Sequence, residues 1–190
     1  MVPSFRDVSH GMYGAWRLAR FDPLAMAWFD HSVEGVWHSF WAAAFAYPGF
    51  LALVALGIAP EQRETAEALR ILLVESIGYV IAWAAFPLII LAFCRWLERE
   101  EQCLGFIIAY NWSQVLQTTL WLVVTALVTG DLLPAPVAVL LSLATVVALL
   151  AYEWFIARTA LEAGGVAATV VVLIDVFFAE ILQRVTQALY

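Results

Sequence analysis

Five apolar stretches, each about 20 residues long, leave this chain few ways to fold: such lengths match the hydrocarbon core of a bilayer, where a backbone must satisfy its own hydrogen bonds as helix. They cover residues 33–58, 71–94, 104–128, 136–156 and 166–182 of a 190-residue chain. The expected fold is all-α, a polytopic membrane bundle of five transmembrane helices. An N-terminal interfacial arm, residues 1–32, precedes a transmembrane domain of residues 33–190. Composition points the same way, with 64% hydrophobic and 13% charged residues against roughly half and a quarter in soluble domains.

The arm mixes apolar residues with Arg17, Arg20 and Asp22, and Asp22-Pro23 is a helix start, a capping side chain followed by proline at the first helical position. Two arrangements suit it: short helices on the membrane surface with Trp16, Phe21, Trp28 and Phe29 dipping in, or an arm packed on the bundle. It lacks the apolar core and small-residue cleavage site of a removable signal peptide, so the first span is expected to act as an uncleaved signal. No lipidation motif is present, so anchoring is by spanning. A net charge of −7 and the absence of lysine exclude a polybasic lipid-binding segment and a nucleic-acid surface.

Span one is expected to start at the Ser32 cap and to kink where Tyr47-Pro48-Gly49 interrupts it. Residues 60–70, with Glu61, Glu64 and an Arg63/Glu67 pair, read as a solvent-facing helical lead into span two, which contains Pro87. Thr129-Gly130 marks a glycine stop after span three. The connection of residues 131–134 is so short that spans three and four must form an antiparallel hairpin. Gly164-Gly165 breaks the chain before span five.

Arginine placement sets the expected orientation. With the N-terminus cytoplasmic, that side holds Arg6, Arg17, Arg20, Arg95, Arg99 and Arg158, against Arg63, Arg70 and Arg184 outside. The C-terminus is then periplasmic, since a lysine-free chain rich in Ala, Leu, Val, Arg and Trp fits a high-GC bacterium and its inner membrane. Cys94 and Cys103 fall at the cytoplasmic ends of spans two and three, where no disulfide is expected.

Polar side chains inside spans are the candidates for chemistry, because hydrocarbon forces each of them to find a partner. In span three Asn111, Gln114, Gln117, Thr118 and Thr125 share one helical face with Tyr110 and Trp121, while Leu116 and Leu120 face away. That stripe reads as interhelical hydrogen bonding or as the lining of a ligand or water path. Asp175 sits at the middle of span five, where a carboxylate costs roughly 2.5 to 3.5 kcal/mol to insert, so it is expected either to be protonated by desolvation or to accept hydrogen bonds from the span-three amides. Glu75, inside span two with Tyr79 one turn on, is a further candidate for the polar path. Glu180 is expected to pair with Arg184 at the surface, and Glu153 reads as the cytoplasmic end of span four. Glu34 is placed to hold His38. No cysteine-histidine spacing of a metal site, haem-ligating histidine, catalytic triad or phosphate loop is present, so no catalytic residue, cofactor or metal is expected.

The run Ala19-Arg20-Phe21-Asp22-Pro23 through Phe29-Asp30, then Gly35 to Phe40 and Tyr47-Pro48, resembles the entry segment of bacterial members of the Yip1-type family of five-span membrane proteins. The resemblance implies a non-enzymatic membrane organiser acting through other membrane proteins, with no catalytic residues to transfer. The leading expectation is therefore a non-enzymatic inner-membrane protein that works by interaction in the lipid bilayer, as an accessory subunit or homo-oligomer. The alternative is a small transporter or channel with its path along span three and Asp175.

Overall fold

A computed structural model describes residues 2–59 and 66–190, and every described element is helical. In chain order these are α1 (Phe5–Ala19), a 3-10 turn (Pro23–Trp28), α2 (Val33–Ser39), α3 (Trp41–Gly57), α4 (Ala66–Trp96), α5 (Glu100–Thr129), α6 (Ala135–Ala160) and α7 (Gly165–Gln187). Four segments are long and apolar enough to cross a membrane: Val33–Gly57, Ala66–Trp96, Ala135–Ala160 and Gly165–Gln187. The 30-residue α5 is long enough but falls outside that set, because its amides and hydroxyls lower its average hydropathy. The lead with Glu61, Arg63 and Glu64 lies outside the described residues.

Packing follows a closed order, α3 on α5, α5 on α6, α6 on α7, α7 on α4 and α4 on α3, with α4 also touching α5. The N-terminal half of α5 is the centre of the fold. From Cys103 to Ser113 nearly every side chain is buried, since α1 and α2 cover it where the other long helices do not.

The arm packs on the bundle. Ser4 and Asp7 form a reciprocal capping box that starts α1, and Ala15 and Leu18 are fully buried on its inner face. The Tyr152 hydroxyl of α6 donates to the Ala15 carbonyl at 2.7 Å. Asp22 caps the 3-10 turn by accepting from Leu24 N–H at 2.9 Å and pairs with Arg17. Trp16 and Phe21 stay exposed whereas Phe29 is buried against Gly14. The bonds from Ser4 hold the Asp7 carboxyl below the ordinary carboxylate range. A lowered folded-state value gives stabilisation that is present at neutral pH and lost as pH falls through that value. Amide exchange at the first turn of α1 is accordingly expected to accelerate in strong acid, and Asp7→Asn to show the faster exchange already at neutral pH.

The first span breaks at Phe40, between α2 and α3, and α3 runs on through Pro48. Proline removes the backbone donor to the Ala44 carbonyl in that turn, and the Tyr79 hydroxyl donates to the preceding carbonyl, that of Ala43, at 2.7 Å, fastening α4 to the turn. Tyr47 and Ser76 hydroxyls bond at 2.8 Å alongside it. At the start of α2, a Cβ on Gly35 would lie 1.9 Å from the Asp30 carbonyl oxygen. Backbone has to move to admit it, so Gly35→Ala is expected to cost about 3 kcal/mol, read as a lower midpoint of thermal unfolding in detergent.

The tight connections do not rely on glycine. Phe21, Glu98, Asp131 and Glu162 take the left-handed φ, one at each turn, at 57°, 56°, 52° and 49°. Gly130 caps α5 with a negative φ, and Asp131 makes the reversal instead. The α5–α6 hairpin expected from the short connection is formed.

Candidate functional site

The face of α5 that carries the stripe meets α3, α4 and α7 around a cleft of about 680 Å³. The Phe86 and Tyr110 rings, with centroids 4.4 Å apart, floor it where α4 and α5 touch. From there it runs to the ends of α3 and α7, past Gly57, Ile58, Ile71 and Tyr190. Helix periodicity explains the α5 lining: Tyr110, Asn111, Gln114, Thr118 and Trp121 recur every three or four residues on one side.

Asp175 projects from α7 at the cleft floor, and its Oδ1 accepts a hydrogen bond from the Tyr110 hydroxyl at 2.7 Å. The expected contact between spans three and five is therefore made by a tyrosine of the striped face and not by an amide. Phenol reaches further from the helix axis than Asn or Gln, and Asn111 is otherwise engaged. It is 1% exposed and donates to Ser39 Oγ at 2.9 Å, while Ser39 donates back to the Val36 carbonyl. Gln117 donates to Ser113 within α5 at 3.2 Å and does not line the cleft. Gln114 and Thr118 do line it.

Glu75 stands at the other end. Its Oε1 accepts from Thr186 Oγ1 at 3.0 Å and from the Tyr190 hydroxyl at 2.8 Å. Arg70 donates to the Leu189 carbonyl beside it, so the last residues of the chain are tied to α4. Burial and then the adjacent Glu75 carboxylate push the Tyr190 hydroxyl up to about 12, so it remains a donor to Glu75 at neutral pH. The six candidates thus divide: Asp175, Glu75, Gln114, Thr118 and Asn111 share one cleft, and Gln117 lies outside it.

Glu153 corrects the sequence reading. It is not a solvated helix end but 4% exposed, with Oε1 lacking a hydrogen-bond partner among the described residues. Its carboxyl lies within hydrogen-bonding reach of Asp175. The reason is tertiary: α5, α7 and α1 all close over the last turns of α6. A signal existed in the spacing, since Glu153 shares a face with Ile156, Ala157 and Ala160, all buried. Glu180 accepts from Arg184 at 2.6 Å on the surface, as expected.

His38 lies 3.8 Å from Glu34 and 3.5 Å from Asp7, and His31 is separately bonded to the Met26 carbonyl at 3.0 Å. Cys94 and Cys103 are buried free thiols at the α4–α5 junction. No grouping of three or more metal-ligating side chains occurs among the described residues.

Ionisable groups lining the cleft are acids and tyrosines. No arginine or histidine lines it among the described residues, while Phe50, Tyr79, Trp83, Phe86 and Trp121 supply aromatic faces. Carboxylates and aromatic faces in a low-dielectric cavity are the chemistry that binds a cation. No family model, curated protein or solved structure matches the chain.

Proposed function

We propose that the protein is a small membrane transporter or channel whose cleft takes up a small organic cation. The observation carrying this reading is the convergence of Asp175, Glu75 and eight aromatic rings on one 680 Å³ cleft without a basic side chain among the described residues. Its volume is within the roughly 300–1,000 Å³ of small-molecule sites. On this reading the chain crosses a bacterial inner membrane five times. The N-terminus is cytoplasmic and the C-terminus periplasmic, and α5 is the crossing added to the four apolar ones, third in chain order and sheltered from lipid along its polar face. Purified protein in liposomes is expected to take up tetraethylammonium, driven either by an inside-negative potassium-diffusion potential or by an inside-acid pH gradient. Liposomes that stay impermeable to it overturn the reading.

A second reading, an accessory subunit or Yip1-type organiser, is favoured by the aromatic and apolar residues left exposed on the arm, Phe5, Tyr13, Trp16, Phe21 and Leu24. It predicts a membrane-protein partner recovered in stoichiometric amount in mild detergent, lost on replacing Trp16 and Leu24 by serine, and no cation flux.

A further inference from the structure

Asp175 is the one carboxyl at the cleft floor, and a second carboxyl stands directly behind it. Three groups meet there from three helices: the Tyr110 hydroxyl of α5, donating to Asp175 Oδ1 at 2.7 Å, Glu153 of α6 and Asp175 of α7. From α4, which also packs on α7, the floor receives Phe86 and Pro87, and the titratable Tyr79 and Glu75 lie further along the cleft. From α1, which packs on α6, the contact is a backbone carbonyl taken by Tyr152. The cations of that region are engaged elsewhere, Arg17 with Asp22 and Arg158 over the Trp154 ring.

Two neighbouring carboxylates without a cation do not both ionise in such surroundings. Burial separates their roles. Glu153 is enclosed, and its Oε1 has no hydrogen-bond partner among the described residues, so an ionised carboxylate there would be poorly solvated. Asp175 reaches the cleft and already accepts a bond from Tyr110.

We propose that a proton and a cation compete for Asp175, while the buried Glu153 keeps its own proton and offers it to Asp175 as a hydrogen bond. Asp175 is the exchanging group and Glu153 a positioning residue. In the empty site both carboxyls are neutral. When a cation enters, the Asp175 O–H bond breaks, its proton leaves to solvent through the cleft mouth, and the carboxylate pairs with the cation. One positive charge enters and one departs, so the charge of the enclosed site does not change. The protein would thereby couple cation movement to a proton moving the other way, which rests on the cation reading of the cleft.

The test is calorimetric titration of the purified full chain with tetraethylammonium, which carries a fixed charge and no proton. Titrations in buffers of different ionisation enthalpy count the protons released. The expected result is one proton released per cation bound, with affinity falling about tenfold per pH unit on the acid side. Glu153→Gln, whose amide N–H replaces the O–H donor, is expected to keep that proton count. Glu153→Leu, with no donor, is expected to move the acid limb of the binding curve to higher pH. In infrared spectra of the empty wild-type protein at neutral pH, protonated-carboxyl absorption from both groups is expected, and Glu153→Gln is expected to remove the Glu153 band and leave that of Asp175. Binding that is independent of pH and releases no proton overturns this proposal and leaves the cation cleft standing. Absence of binding at every pH overturns both. A missing Glu153 band overturns the assignment of the retained proton even where binding persists.

Discussion

Asp175→Asn is expected to weaken tetraethylammonium binding by roughly a hundredfold, the equivalent of about 2.7 kcal/mol, and to abolish its uptake into liposomes. The substitution removes the carboxylate that forms to pair with the cation but keeps the shape. The asparagine carbonyl oxygen still accepts from the Tyr110 hydroxyl, which bonds Asp175 Oδ1 at 2.7 Å. Folding is therefore expected to survive, and the thermal unfolding midpoint in detergent to stay within a few degrees of wild type. Asp175→Leu provides the contrast, because it leaves a half-buried phenol without its acceptor, a loss of about 1 kcal/mol of stability. Should Asp175→Asn bind and transport as wild type does, the cleft does not act through this carboxyl. If it instead unfolds, the carboxyl is a structural element and the cation reading loses its main support.

The second large effect concerns the seat of the N-terminal arm. A Cβ on Gly11 would fall 2.4 Å from the Trp112 ring, and Trp112 is 2% exposed, with Phe45 stacked on its far side. The enclosed Trp112 ring has little room to withdraw. Gly11→Leu is accordingly expected to lift α1 from α5, at a cost of about 3 kcal/mol or more. It should expose the buried Ala15 and Leu18 face and break the bond from Tyr152 to the Ala15 carbonyl. Limited proteolysis in detergent should then cut within the first 30 residues of the variant under conditions that leave wild type whole. The double variant Gly11→Leu with Trp112→Ala is expected to be less destabilised than the two single effects added together, because the space made by one accommodates the other. Strict additivity would show that the close approach does not limit docking.

Much of the architecture was legible along the chain. Apolar length identified the helices, the Asp22 cap located the 3-10 turn, and the short connection of residues 131–134 required the α5–α6 hairpin. Local rules located these because each depends on residues within one or two turns. They did not foresee the break in the first span at Phe40, and α3 continues through Pro48. Proline costs a helix one donor, and whether that cost becomes a break depends on what surrounds it. Here Tyr79, over thirty residues away, bonds the neighbouring carbonyl of the same turn.

The polar site divides in the same way. Helical periodicity alone put Tyr110, Asn111, Gln114 and Thr118 on one face, and the cost of a mid-span carboxylate alone singled out Asp175. Partner choice was decided by packing. Asn111 turned to Ser39, Tyr110 took Asp175, and Glu75 took the chain's last tyrosine. Glu153 is the clearest case: three residues before Ile156 and five before Arg158 it reads as a helix end, yet α1, α5 and α7 bury it beside Asp175.

By itself, the sequence determined that this chain is helical, suited to a membrane, and obliged to shelter a polar face on α5, because hydropathy and helix period are properties of neighbours along the chain. Only the tertiary structure decided that the shelter is a cleft with acids at both ends, and that a second carboxyl waits behind the first. Burial and hydrogen-bond partners belong to the space between helices, and no single helix carries that space in its sequence.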